Sequence, residues 1–180
     1  MKVIALALFG ALTTSCYGNG SGSQSQTAAV TGYRLQTYDT FSFGWTGNPP
    51  EAYEASARSL EVDRRLGEFV GAELRQKGYV EDNSTPSFLV RFGAGVSRIE
   101  MNSTAPEGPS EAAPHQTLSR EGIKIVIYDI LTKTEVWQGS SSSVVDLTRD
   151  IDDRLLQHDV HDALASFPVR KITAAYPFRG

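Results

Sequence analysis

Hydrophobic and polar positions alternate with different periods along this chain, and each period predicts an element. Residues 3–12 (VIALALFGAL) form an unbroken apolar run behind a single cation, Lys2. A run of this length cannot cross a hydrocarbon layer of roughly 30 Å as a helix, and it has the layout of a secretory signal. Residues 17–27 (YGNGSGSQSQT) carry no apolar period and read as a flexible Gly/Ser/Gln tether. The pattern then changes. Thr37, Asp39, Phe41, Phe43 and Trp45 share one parity, which predicts a strand over 35–43, ended by Gly47-Asn48-Pro49-Pro50. Residues 52–77 read as helix, most definitely over 60–77. Val62, Leu66, Phe69, Val70 and Leu74 make its apolar stripe, and Gly78 is the stop.

Beyond Pro86, Phe88, Val90, Phe92, Ala94 and Val96 alternate in a strand over 87–101. Residues 102–120 are rich in proline and small polar residues and read as a long loop. A strand over 122–131, a tight turn at Thr132-Lys133 and a partner strand over 134–145 form a hairpin. A second helix over 150–167 has Leu156, Val160, Ala163, Leu164 and Phe167 as its stripe, and Pro168 ends it. The order β-α-β-β-β-α predicts a single α+β domain. Two helices, each with one apolar stripe, would cover one face of a four-stranded, mostly antiparallel sheet. The divisions are a signal at 1–15, anchor and tether at 16–30, the domain at 31–168 and a tail at 169–180. The uncovered face is the expected binding surface, carried by Tyr38, Arg91, Lys124, Tyr128 and Trp137.

Composition narrows the function. The 180 residues hold 40% hydrophobic residues, enough for one packed core. Seventeen Lys and Arg against 21 Asp and Glu leave a net charge of −4, which argues against a general nucleic-acid binder. The single cysteine, Cys16, excludes an intramolecular disulfide framework and a multi-thiolate zinc site. Its place is informative. An apolar run ending in small residues and then cysteine resembles the lipobox of bacterial lipoproteins. The resemblance implies cleavage before Cys16, a diacylglycerol on its thiol and an acylated amino terminus such as a palmitoyl amide. Tyr17, rather than aspartate, follows the cysteine, which in such lipoproteins implies the outer membrane, facing the periplasm. The alternative is an ordinary signal peptide cleaved elsewhere, with Cys16 discarded.

The body carries a second resemblance, in TYDTFSFGW, the KGY that ends the first helix, PSFLVRFGAG, GIKIVIYDILTKTEVWQGS and the final FP. These segments resemble the domain of unknown function 4136 family of bacterial lipoproteins across about residues 33–168. The matching positions are Asp39, Phe41, Gly78, Tyr79, Phe88, Leu89, Val90, Gly122, Asp129, Thr132, Trp137 and Gly139. The resemblance implies a membrane-anchored, periplasm-facing α+β domain and no particular activity. The hairpin positions also have direct physical readings. Asp129 is placed to accept turn amides, Trp137 to pack on the sheet and Gly139 to admit a close approach or a bulge.

Catalytic chemistry is thinly represented. His158 and His161 share a helix face, and a metal-dependent or hydrolytic enzyme is the alternative they offer, but they lie off the apolar stripe and lack a third ligand. There is no G-x-S-x-G elbow. Gly93-Ala94-Gly95 lies inside a strand, so it is no phosphate loop, and residues 140–143 are a serine run on a polar strand. No catalytic residue, metal or cofactor is assigned. The expectation is a non-enzymatic binding or structural domain that meets the membrane through its lipid and an envelope protein, polymer or lipid through its open face.

Overall fold

The computed structural model describes residues 24–44, 47–98 and 119–171. The signal run, Cys16, the first part of the tether, Trp45, most of the 102–120 loop and the end of the tail lie outside the described residues. In chain order the elements are β1 (Gln24–Ala29), β2 (Thr40–Phe43), α1 (Ala57–Gln76), β3 (Val80–Glu81), β4 (Phe88–Arg98), β5 (Ser119–Asp129), β6 (Glu135–Val145) and α2 (Asp153–Leu164). The strands form one mixed sheet in the order β1-β6-β5-β4-β2-β3. Pairing is parallel at β2–β3 and β2–β4 and antiparallel elsewhere.

The sheet therefore has six strands, not four, and both additions are elements that apolar periodicity cannot register. β1 lies in the stretch read as tether. All six of its side chains are exposed, and it is held mainly by its backbone ladder to β6, from Gln24 opposite Ser142 to Ala29 opposite Trp137. β3 is two residues long and is placed by backbone bonds such as Val80 N–H to the Asp39 carbonyl (3.1 Å). The strand expected over 35–43 is also shorter. Leu35–Thr37 form a 3-10 turn, with the Thr37 amide and hydroxyl both donating to the Arg34 carbonyl, and extended pairing starts at Thr40.

Both helices pack on one sheet face, as their single stripes require. Val62, Leu66, Val70 and Leu74 of α1 and Leu156, Val160, Ala163 and Leu164 of α2 are buried in the same cluster as Phe88, Val90, Ile123, Ile125 and Ile127. Ser56 caps α1, and its side chain exchanges hydrogen bonds with Ser59. At the other end Gly78 adopts φ +93°. The Tyr79 amide reaches back to the Leu74 carbonyl and the Gly78 amide to that of Arg75, a Schellman closure. That closure delivers the Tyr79 ring to the core, 5.4 Å from both Phe88 and Phe167.

The hairpin forms, with a wider turn than expected, since β5 ends at Asp129 and β6 begins at Glu135, and with one residue on the other face. Asp129 Oδ1 accepts the Thr132 amide (2.7 Å) and hydroxyl (2.8 Å). Trp137, expected on the open face, is buried against Phe167 with ring centroids 5.1 Å apart. The cause is a register shift. Ile127 pairs with Trp137 but Tyr128 pairs with Glu135, so Val136 is an extra residue and both Val136 and Trp137 face the core. Tyr38 is likewise drawn to the core side: its ring lies 5.7 Å from Phe88 and its hydroxyl donates to Asp129 Oδ2 at 2.6 Å.

Gly139 is where α2 meets the sheet, and a Cβ there would run into the Ala163 carbonyl and the Trp137 ring. Neither neighbour is a flexible side-chain tip. Gly139→Ala is accordingly expected to cost about 3 kcal/mol by overpacking, read as a lowered urea midpoint. Gln138→Ala next to it is expected to shift stability by less than about 0.5 kcal/mol.

Candidate functional site

The face of the sheet turned away from the helices is built by parity. β4 presents Leu89, Arg91, Gly93 and Gly95 there. β5 presents Gly122, Lys124, Val126 and Tyr128, and β6 presents Gln138, Ser140 and Ser142. Gly93, Gly95 and Gly122 leave the middle of this face without side chains, and residues 47–54 fill the space. The Gly47 amide donates to the Phe92 carbonyl at 2.6 Å, and Glu54 and Val96 exchange both backbone bonds. A Cβ on Gly93 would stand 2.6 Å from the Gly47 and Asn48 carbonyl oxygens. One on Gly95 would stand 2.6 Å from Pro49 Cβ, and one on Gly122 would stand 2.6 Å from the Tyr53 ring. The segment between β2 and α1 is thus seated on glycines and forms a wall across an otherwise open sheet.

Two hollows flank this wall. The smaller, of about 200 Å³, is bounded by Gly47, Asn48, Arg91, Lys124, Val126 and Tyr128. The larger, of about 600 Å³, runs toward β1 and includes Gln24, Gln26, Tyr53, Lys124, Gln138 and Ser140. Lys124 belongs to both. The Arg91 guanidinium carbon sits 5.0 Å from the centre of the Tyr128 ring, a cation–π contact that orients it across the strand. Among the described residues, neither Arg91 nor Lys124 forms an ion pair.

The other concentration of polar groups lies between the sheet and the helices. Asp159 of α2 is buried, and its Oδ1 accepts hydroxyl bonds from Ser143 (2.7 Å) and Ser141 (3.0 Å) of β6. Glu121 of β5, also buried, receives Nε of Arg58 at 3.2 Å, while Nη1 of Arg58 donates to the Arg149 carbonyl at 2.7 Å. A cavity of about 80 Å³ touches Arg58, Glu121 and Asp159. Burial pushes the Asp159 carboxyl above its ordinary range, only partly offset by the two serine hydroxyls. Burial likewise raises Glu121 against the pull of Arg58, with the Asp159 charge adding to the rise. Asp129 is the opposite case. Burial alone would raise it, but hydrogen bonds from Tyr38 and Thr132 outweigh burial and hold it below the usual carboxylate range.

Of the five residues assigned to the open face, Arg91, Lys124 and Tyr128 are brought together there, and Tyr38 and Trp137 are not. His158 and His161 are exposed. His158 Nε2 lies 3.6 Å from Asp162, and His161 Nδ1 lies 3.3 Å from Glu73 of α1. Among the described residues no group of three or more His, Cys, Asp or Glu is arranged to hold a metal. Cys16 lies outside the described residues. The part played by residues 47–54, Gln24 and Gln26 was missed by pattern reading. The available signal was the trio of glycines on one parity, which marks a strand surface another backbone approaches.

A family model described as Domain of unknown function (DUF4136) matches residues 25–169. No curated protein matches the chain. Among solved structures, the PelC dodecamer from Paraburkholderia phytofirmans is similar with a TM-score of 0.50 at 9% identity, over 83% of this chain and 100% of that one. A PDZ domain protein from Parabacteroides distasonis is similar with a TM-score of 0.54 at 16% identity, over 82% of this chain and 36% of that one. A DUF4136 family protein from Bacteroides thetaiotaomicron aligns at 13% identity with a TM-score of 0.43, over 79% and 94% of the two chains. For the PelC and PDZ domain proteins, at these identities, the likeness is one of fold.

The buried acids make stability depend on pH in a defined sense. Because the Asp159 and Glu121 values are raised on folding, the folded chain holds those protons more tightly than the unfolded chain, and their contribution to stability is lost as pH climbs. Asp159→Asn keeps an acceptor for both serines and cannot ionise. Its stability relative to the parent chain, from urea unfolding, is expected to improve as pH rises above about 4 and to level off once Asp159 of the folded parent has ionised.

Proposed function

Since the chain belongs to the domain of unknown function 4136 family, we propose that it is an envelope lipoprotein, tethered to the outer membrane through Cys16, whose α+β body is a non-catalytic binding domain facing the periplasm. The observation that carries the binding role is the open sheet face. Arg91, Lys124 and Tyr128 converge there beside a groove, on the side the helices leave uncovered. A cation held on an aromatic ring at the surface contributes about 0.5–1 kcal/mol to folding, and a second cation, Lys124, stands beside it without an ion pair among the described residues. An exposed Arg91 with a half-buried Lys124 and Tyr128, gathered by paired strands, is suited to recognition.

The anchor rests on the apolar run, Cys16 and the Gly/Ser/Gln segment behind it. Several acyl chains on one residue hold a protein firmly where one chain holds it marginally. The tether that remains between Cys16 and β1 is short, so the sheet edge formed by β1 would work close to the membrane surface.

Two measurements test the proposal. Mass spectrometry of the mature amino terminus from a membrane fraction is expected to find a lipid-modified Cys16, whereas an unmodified terminus downstream of Cys16 overturns the anchor. Photo-crosslinking from the groove rim in intact envelopes is expected to yield an adduct that Arg91→Ala with Tyr128→Ala abolishes. An adduct untouched by both changes removes the open face from the function.

A further inference from the structure

The open face has a ligand chemistry written into its lining, and we infer that the groove takes an extended segment of an anionic glycan, one whose sugars carry carboxylates. The inference rests on the open-face reading above and adds the class of ligand. Three observations carry it.

The first is charge. The chain is net −4, yet β5 places Arg120, Lys124 and Tyr128 in one row on this face and β4 adds Arg91 beside them. Arg120 donates to the Gln24 side chain at 2.6 Å, a neutral partner. Glu51 lines the larger hollow, Glu54 of the same segment pairs with Val96, and Glu135 pairs across from Tyr128. Among the described residues none of the three forms an ion pair with these cations. The described lining of the smaller hollow holds Arg91 and Lys124 and no carboxylate, so this end of the groove complements an anion, and the guanidinium fork of Arg91 matches a carboxylate in particular, while Lys124, shared with the larger hollow, joins it to the part that would take the sugars.

The second is the type of polar group. Gln24, Gln26, Gln138, Ser140 and Ser142 contribute amides and hydroxyls, and each of these both donates and accepts. Sugar hydroxyls are the ligand groups that need both at every position. The Tyr53 ring sits among them, above Gly122, as a flat apolar surface for a pyranose face.

The third is what the groove lacks. The exposed large hydrophobic residues of the described chain (Val30, Leu60, Val80, Leu131, Leu147 and Val169) do not line either hollow. The apolar lining is Ala28, Pro50 and the Tyr53 ring in the larger hollow and Phe92 and Val126 in the smaller, interleaved with polar groups, a mixed surface that suits a polymer carrying both hydroxyls and flat ring faces. The groove is open at the surface and about 600 Å³ in volume, so it suits a few sugar units of a longer chain rather than an enclosed monomer.

The test is calorimetric titration of the full-length chain in detergent with a galacturonic acid trimer, a matched neutral glucose trimer, inorganic phosphate and anionic phospholipid vesicles. The acidic trimer is expected to bind, with affinity falling as salt rises. Arg91→Gln and Lys124→Gln are each expected to raise its Kd about tenfold, the scale of one lost charged contact. Gln138→Ala is expected to weaken it several-fold without changing the salt dependence. Unchanged thermal unfolding of the three variants is the check that the sheet is intact. Equal binding of the neutral trimer, indifference to both charge substitutions, or binding of phosphate or vesicles alone would overturn the glycan assignment. Should the acidic trimer fail to bind while the groove-rim adduct still depends on Arg91 and Tyr128, only the ligand class is wrong. Should both fail, the open face itself is excluded.

Discussion

Phe88 draws ring contacts from widely separated parts of the chain. Tyr38 lies 5.7 Å away, Phe41 5.9 Å, Tyr79 5.4 Å and Phe167 6.0 Å, and Trp137 joins through Phe167. Each contact ties one element to the first residue of β4: the turn before β2, β2 itself, the exit of α1, the exit of α2, and β6. Pairs of this kind contribute about 1 kcal/mol each beyond the area they bury. The cluster also organises polar groups. The Tyr79 hydroxyl donates to the Leu35 and Pro168 carbonyls, and burial pushes its pKa up to about 12. With every helix gathered on one side, the sheet's other face has to meet water or a partner.

That asymmetry explains why the same strands carry two kinds of residue. On the covered side, β5 places Ile123, Ile125 and Ile127, which are fully buried. On the other side its glycine, lysine and tyrosine meet residues 47–54, which fold back over the sheet because β4 and β5 have no Cβ atoms in their way. The groove is thus a product of packing on both sides. The helices hold the strands flat against the core, and the loop raises a wall on the face they leave.

The elements with strong periods were legible in advance. Two helices, the long strands β4, β5 and β6, the hairpin and the single covered face all follow from apolar spacing. Gly78 and Asp129 play the local roles their types suggest. What escaped the pattern did so for physical reasons. β1 buries no side chain, so nothing in its sequence distinguishes a strand from a tether. Trp137 sat on the wrong parity until one unpaired residue, Val136, moved it to the core, and a bulge leaves no mark on alternation. Asp159 falls on the inner side of α2 beside two apolar stripe positions, and only the approach of Ser141 and Ser143 makes a buried carboxyl tolerable there.

The candidate site divides in the same way. Arg91, Lys124 and Tyr128 were readable as an exposed set, because alternation within a strand assigns each residue to a face. Their juxtaposition with Gln24, Gln26 and Tyr53 was not, because those residues arrive from distant segments by backbone pairing and by packing on glycine. By itself the sequence determined the periods, the caps, the one-sided core and the lone cysteine behind an apolar run, since these depend on neighbours a few positions apart. The tertiary structure alone decided the six-stranded sheet, the bulge and the groove, since each depends on which strands lie side by side and on how closely two backbones can approach.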